Sequence, residues 1–268
     1  MTGGKPILHL VKIGGNIVDD EKKLHDFLAD FAQIKNPKLL VHGGGKLATR
    51  MAQQLNIPQT MVDGRRITDA ETLKVVTMVY AGYINKNIVA QLQAGDCNAL
   101  GLSGADGNIV QAHKRIAGAV SQHDYGFAGD VDAVNSDLLQ TLLQNEITPV
   151  ICPITHDKKG QLLNTNADTI TKELAAALSE RFNVQLVYLF EKPGVLSDAE
   201  NEKSVIEEIT PDSYKELKEK NIVFAGMIPK IDNAFAALSA GAAVVTIGKA
   251  EDLKQIIVGE KGTRIISG

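Results

Sequence analysis

The chain has 268 residues, 28 Lys and Arg against 32 Asp and Glu, a net charge of −4, 44% hydrophobic and 22% charged residues. That length suits one large domain or two closely joined lobes around a substantial core, and the mildly acidic balance offers no footprint for nucleic acid. No apolar run approaches the ~20 residues of a membrane span and Met1 to Pro6 lack a signal-peptide apolar region, so no membrane partner and a cytoplasmic location are expected.

Cys97 and Cys152 sit in or beside apolar runs and read as buried free thiols. His9, His25, His42, His113, His123 and His156 show no ligand spacing, so no protein-bound metal is expected.

Ile7 to Ile13 reads as a buried strand broken by one lysine, Lys12, before Gly14-Gly15. In a parallel α/β sheet ligands lie outside the carboxyl ends of strands, which aims Lys12 at a site. Leu24, Phe27, Leu28, Phe31 and Ile34 recur at helical spacing after an Asp19-Asp20 cap, and Asn36-Pro37 stops that helix. Leu39 to His42 is a second strand that breaks into Gly43-Gly44-Gly45, and a helix opens at Lys46. Glycines before a helix N-terminus suit a phosphate or a carboxylate, because backbone N–H groups and the helix dipole converge there. This is no Walker A loop, since Leu47 follows Lys46 where a Ser or Thr should hold Mg²⁺, and it lacks the G-x-G-x-x-G dinucleotide pattern.

Met61 to Thr68 reads as two short extended segments around an Asp63-Gly64 turn, carrying Arg65 and Arg66. An arginine placed there commonly clamps a carboxylate in bidentate fashion. Thr68 or Asp69 is expected to cap one long helix to about Gln93, followed by a strand at Ala99 to Leu102 and a turn-rich loop from Ser103 to Gly107. Ile109 to Val134 suggests a smaller β-hairpin region, and Ser136 is expected to cap a helix to Asn145. Thr148 to Ile154 reads as a third buried strand whose two prolines mark ends or irregularity. Asn164-Thr165-Asn166-Ala167-Asp168 precedes a helix bearing Ile170, Leu174, Ala177 and Leu178; its polar residues fit capping, and Asp168 equally fits holding two cationic side chains.

The last third repeats the rhythm: a strand from Gln185 to Phe190, a loop Glu191 to Gly194, helices from Pro211 and from Ile228 to Ala240, a strand Val244 to Ile247, a short helix and a strand Arg264 to Ile266. Lys230 falls in the first turn of its helix, where the dipole disfavours a cation, and this marks it as a site candidate. Two lysines, one aspartate, one arginine and two glycine turns contain no nucleophile with a base. Phosphoryl transfer works mainly by positioning and charge neutralisation, and a carboxylate acceptor with a pKa near ~4.3 needs no general base.

Taken in order, Leu10 to Gly15, Val41 to Gly45, Asp63 to Thr68, Gly101 to Gly107, Asn164 to Asp168 and Gly226 to Lys230 resemble the N-acetylglutamate kinase branch of the amino acid kinase family over nearly the whole chain. The resemblance implies a three-layer αβα sandwich with an open, mostly parallel central sheet. Its two lobes would be residues 1–180 for the acylated glutamate and dimerisation, and 181–268 for ATP. It further implies that Lys12 and Lys230 stabilise the transferring phosphoryl group and that Asp168 orients both. Gly44 and Gly45 would offer N–H groups near the γ-carboxylate, Arg66 would clamp the α-carboxylate and Asn164 the amide region. Gly14, Gly15, Glu191 and Gly194 would line the nucleotide side, with Mg²⁺ carried chiefly by ATP. A homodimer phosphorylating N-acetylglutamate on the route to arginine is the expectation; the alternatives are the same reaction on N-succinylglutamate, suggested by Lys46 and Arg65, or a sister kinase. Where the family usually has an Asp-containing loop, this chain has Phe190 to Gly194. Only eleven residues precede Lys12, so neither the hexamer nor the strong arginine feedback of members with an N-terminal helical extension is expected. A nicotinamide-dependent oxidoreductase is disfavoured because the second strand ends without a ribose-gripping acid, and a non-catalytic scaffold because both lysines and Asp168 are present.

Overall fold

The computed structural model describes residues 4–62, 64–116, 123–223 and 227–268; Asp63, Gly226 and the middle of the expected hairpin region, 117–122, lie outside the described residues. Eight strands form the central sheet: β1 (Ile7–Ile13), β2 (Lys38–His42), β3 (Ala99–Leu102), β4 (Thr148–Ile151), β5 (Asn183–Phe190), β6 (Glu208–Ile209), β7 (Val244–Lys249) and β8 (Thr263–Ile265). Their spatial order is β6-β8-β7-β5-β1-β2-β4-β3. Every pairing is parallel except β7 with β8. The β1–β5 seam, in full register from Ile7↔Asn183 to Ile13↔Leu189, joins the two expected lobes into one sheet.

Helices cover both faces, as the sandwich requires. One face carries α1 (Gly15–Val18), α2 (Glu21–Ala32), α3 (Gly45–Gln54), α4 (Ala70–Thr77) and α5 (Asn85–Ala94). The opposite face carries α6 (Ser136–Gln144), α7 (Ala167–Ser179), α8 (Pro211–Glu219) and α9 (Ile228–Ser239), and α10 (Leu253–Ile257) returns to the first. Strand side chains alternate between faces, so Leu8, Leu10, Leu39, Val41, Leu186 and Tyr188 enter the α6–α9 core, whereas Val11, Ile13, Leu40, Val187 and Leu189 enter the other.

Three expectations shift. The long helix begins after Asp69, whose side chain accepts the Thr72 N–H at 2.7 Å, but a π-helical turn, Met78–Ile84, separates α4 from α5. The run expected as one third strand divides at Cys152-Pro153: Pro153 has no N–H for a ladder, and Ile154–His156 instead joins Val110–Lys114, Ala128–Val134 and Leu162–Thr165 in a small four-stranded barrel. The cap of α6 is Asn135, accepting from Leu138 N–H at 3.2 Å, and Ser136 is already helical. Cys97 and Cys152 are buried free thiols. Among the described residues no helix is long and apolar enough to cross a membrane.

Candidate active site

The carboxyl ends of β1, β2 and β5 open onto one cleft. Lys12 shares its face with Leu8 and Leu10, so it points under the helices α7 and α9. It is 7% exposed, and its Nζ lies 2.8 Å from Asp168 Oδ1. Asp168 stands in the first turn of α7, where a negative charge suits the dipole. Asn166 caps that helix, accepting the Asp168 and Thr169 N–H groups at 2.8 and 3.1 Å. The polar segment therefore does both jobs open to it, capping through one residue and charge pairing through another.

Lys230, in the first turn of α9, arrives from the C-terminal side of the cleft. Burial and, after it, the nearby Lys12 charge push its ammonium below the usual lysine range, while Glu191 and Asp168 pull the other way. Phe190 ends β5 on the same face. Its ring centroid is 3.9 Å from Lys230 Nζ and 5.7 Å from Lys12 Nζ, so the one aromatic face attracts both cations. Sequence reasoning missed Phe190; strand alternation from Tyr188 was the available signal.

Between the lysines and α3 lies the glycine turn. Gly44 is the N-cap of α3 at φ 156° and ψ 18°, and a Cβ there would come within 2.3 Å of Ile84 Cδ1 and 3.2 Å of the Tyr80 ring. Only glycine lets the backbone approach so closely. The Gly44 and Gly45 N–H groups belong to the first turn of α3, where no carbonyl of its own helix reaches them.

Two cavities meet at Gly45. The first is lined by Gly43, Gly44, Gly45, Arg65, Arg66, Tyr80, Asn164 and Asn166, among others. The second is lined by Gly14, Gly15, Asn16, Gly45, Lys46, Phe190, Glu191, Lys192 and Lys230, with apolar Ile17 and Leu189. A Cβ on Gly14 would stand 3.9 Å from Lys12 Nζ, which places that ammonium beneath one wall of the second cavity.

Arg66, on the short strand Arg65–Arg66 paired with Met61–Val62, is 7% exposed. Its Nη2 donates to Gly45 O at 2.9 Å and Thr49 Oγ1 at 3.0 Å, and Nη1 donates to Gln59 Oε1. Asn164 Nδ2 donates to Thr68 Oγ1 at 3.0 Å, and that hydroxyl donates to Arg66 O at 2.9 Å, so one chain of bonds ties the barrel to the hairpin. Arg65 also faces the first cavity, its guanidinium lowered by burial and then by Arg115. Lys46 lies in the second cavity, donating to Asn16 Oδ1, while Asn16 Nδ2 donates to Glu191. Gly194 lines neither cavity: a Cβ there would press on Thr263 Oγ1 at 2.6 Å and Val205.

The cleft thus gathers six cations, Lys12, Lys46, Arg65, Arg66, Lys192 and Lys230, around the carboxylates of Asp168 and Glu191, and neither cavity is lined by a His or Cys. Among the described residues no cluster of His, Cys, Asp or Glu is arranged to hold a metal ion. The arrangement binds and neutralises anions at two adjoining points.

Known proteins resemble this chain in sequence and in fold. The acetylglutamate kinase of Cytophaga hutchinsonii is 54% identical over 263 residues, 97% of this chain and 98% of that protein. The crystal structure of smu.665 from Streptococcus mutans UA159 superposes with a TM-score of 0.77 at 26% identity, covering 97% of this chain and 99% of that one. The carbamate kinase from Giardia lamblia bound to AMP-PNP superposes with a TM-score of 0.72 over both whole chains, and at 15% identity it speaks for the fold alone. The profile of the Amino acid kinase family matches residues 8–249. On the family match and the sequence identity, the chain belongs to the amino acid kinase family.

Proposed function

We propose that this chain transfers the γ-phosphoryl group of ATP to the γ-carboxylate of N-acetyl-L-glutamate, giving the acyl phosphate used in arginine biosynthesis. The observation that carries the reading is the meeting of two cation-lined cavities at Gly45, with the Lys12–Asp168 pair and Lys230 beside the junction. The acetylglutamate kinases matched at 54% identity over nearly their full length support the substrate.

In this reading the first cavity takes the acylated amino acid. The Arg66 fork, set by Gly45, Thr49 and Gln59, meets the α-carboxylate, and Asn164 faces the amide. The acceptor carboxylate, with a pKa near ~4.3, is already ionised at neutral pH and attacks without a base. The second cavity takes the nucleotide's phosphates along Gly14 and Gly15, near Glu191, with Mg²⁺ entering as part of the co-substrate. Gly194 acts there only through the packing of the Glu191 to Gly194 loop. As the phosphoryl group passes between oxygens, Lys12 and Lys230 neutralise its charge, Asp168 keeps both lysines placed, and the Gly44 and Gly45 N–H groups donate to its oxygens. Residues 1–180 carry the acceptor site and residues 181–268 the nucleotide side.

The protein acts in the cytoplasm as a homodimer. Met51 on α3, Leu55 at its C-terminal cap, Met78 and Tyr83 on the π-helical turn and Leu100 on the edge strand β3 are large apolar side chains left exposed, and they support pairing with a second copy.

ATP-dependent acyl phosphate trapped as the hydroxamate tests the reaction, with N-acetylglutamate, N-succinylglutamate, glutamate and aspartate side by side. Turnover of N-acetylglutamate is expected. Preference for the succinyl compound would change the acyl group, and turnover of only a free amino acid would overturn the substrate.

A further inference from the structure

Behind the glycine turn runs a buried polar chain that the steps above leave unused. His42, the last residue of β2, is fully buried. Its Nδ1 lies 2.8 Å from Gly43 O, and because a carbonyl only accepts, Nδ1 carries the proton and donates. Nε2 is then the acceptor, 3.2 Å from Asn85 Nδ2. The same amide nitrogen donates to Val150 O at 2.9 Å, which decides how the amide faces: turned over, its oxygen would oppose the Val150 carbonyl. Burial holds the His42 ring down to about 4, so it is neutral at working pH.

Asn85, the first residue of α5, is 1% exposed and follows directly on the π-helical turn. Lys86 Nζ donates to Asn85 Oδ1 at 3.1 Å and to Gly101 O at 2.9 Å. A Cβ on Gly101 would fall 2.0 Å from Asn85 Oδ1, so this chain of bonds requires glycine at 101. Neither His42 nor Asn85 lines a cavity, and neither can touch a ligand there.

The consequence is geometric. The Gly43 N–H donates to Ile13 O at 3.0 Å, and the Gly43 carbonyl is held by His42, so both polar groups of that residue are tied. A trans peptide holds its C=O and the following N–H antiparallel in one plane. Clamping the Gly43 carbonyl back against His42 therefore turns the Gly44 N–H the opposite way, toward the cavity that Gly44 lines. Nothing in Gly44 itself resists rotation of that peptide.

We propose that His42, held in its tautomer by Asn85, is a positioning residue that aims the Gly44 N–H at the oxygen gaining charge during phosphoryl transfer. This rests on the reaction proposed above. An aimed backbone donor serves the transition state more than the ground state, so its loss belongs in kcat rather than KM.

The test pairs two variants. Gln at 42 reaches the Nε2 position but has no donor near Nδ1; Asn places an amide N–H near Nδ1. His42→Gln is expected to lower kcat by roughly 30- to 100-fold, since removing an oxyanion donor outright costs ~10²–10³, with both KM values within about twofold. His42→Asn is expected to keep kcat within about fivefold of wild type, well inside that loss. Equal losses in the two variants at matched melting temperatures, or a loss confined to KM, would overturn the role. Independently of turnover, ¹⁵N-histidine-labelled wild type at pH 7 is expected to show His42 with a protonated Nδ1 and a bare Nε2, assigned by the signal missing in His42→Asn. The opposite tautomer would sink the proposal even if His42→Gln failed to fold. Wild type inactive on every carboxylate substrate overturns the reaction and this role together, whereas active wild type with an unchanged His42→Gln overturns the role alone.

Discussion

Asp168→Asn is the most informative single change, because it keeps the shape and one acceptor oxygen while deleting the charge that pairs with Lys12 and acts at longer range on Lys230. Lys12 Nζ sits 2.8 Å from Asp168 Oδ1, the side chains being 9% and 32% exposed. Two unit charges ~4 Å apart interact by about 4 kcal/mol at an effective dielectric near 20, and the open side of Asp168 screens the net loss of stability to about 1–2 kcal/mol. For a chain of this size that is a fall of about 2–8 °C in Tm. The catalytic loss is larger than the thermal one: a lysine displaced by ~1 Å costs on the order of 10²-fold in kcat. The pH profile gives a third reading. Lys230 has to be protonated to neutralise the phosphoryl group, and the protonated form is lost as pH rises through its pKa. Asp168 is one of the two groups that hold that pKa up against burial and Lys12. Removing it moves the pKa down, so the alkaline limb of kcat/KM shifts to lower pH. The assay is hydroxamate formation from pH 6 to 10 alongside thermal unfolding. A kcat within threefold of wild type with an unmoved alkaline limb would refute the assignment.

Arg66→Lys keeps the charge but loses the fork that engages Gly45 O, Thr49 and Gln59; KM for the acylated amino acid is expected to rise ~10- to 100-fold with KM for ATP unchanged, and initial rates at varied substrate check this. Gly44→Ala sets a Cβ 2.3 Å from Ile84 Cδ1 in a backbone shape that side chains avoid; about 1–3 kcal/mol of stability and most activity should be lost, and a wild-type melting curve would contradict it. His9 and His42 are both lowered from 6.5 to about 4 by burial. A folded pKa below the unfolded one means that the unfolded chain binds the extra proton, so stability is full above pH 6.5 and falls as pH drops toward 4. For His42 alone the loss between pH 7 and pH 5 is about 2 kcal/mol, and urea titrations showing equal stability at the two pH values would rule it out.

The alternation of strands and helices was legible because the strands are short apolar runs punctuated by glycine and the helices carry caps and periodic apolar faces; their layering as a sandwich came from the family resemblance. Lys12 and Lys230 stood out because each is a cation where burial or a helix dipole makes a cation costly without a partner, whereas only the family resemblance told Arg66 from Arg65. The misreadings share a cause of their own. The π-helical turn leaves no mark in composition; it sets Tyr80 and Ile84 against Gly44, a contact 36 and 40 residues distant in the chain. The break at Cys152-Pro153 was announced by proline, but its meaning depends on the barrel strands that receive Ile154–His156, one just after it, where Asn164 pairs with Ile154, and one 45 residues before it, where Gln111 pairs with His156. The ring shared by two ammoniums at Phe190 and the amide bridge through Asn16 depend on contacts 40 and 175 residues distant, and no local pattern encodes either.

The place of β1 also bears on how the chain comes to be folded. It is the first strand in the sequence, yet it lies in the interior of the sheet, and one of its two neighbours is β5, whose first residue, Asn183, pairs with Ile7. During synthesis, from the N-terminus onward, a strand with five apolar residues of seven must wait for more than half the chain before its second edge is covered. Closing so long a loop is entropically slow, and an unpaired apolar edge is what aggregating chains share. Refolding should therefore regain helical signal well before activity, with yield falling as concentration rises. A fragment ending before β5 should self-associate, even though it contains Lys12, Arg66 and Asp168.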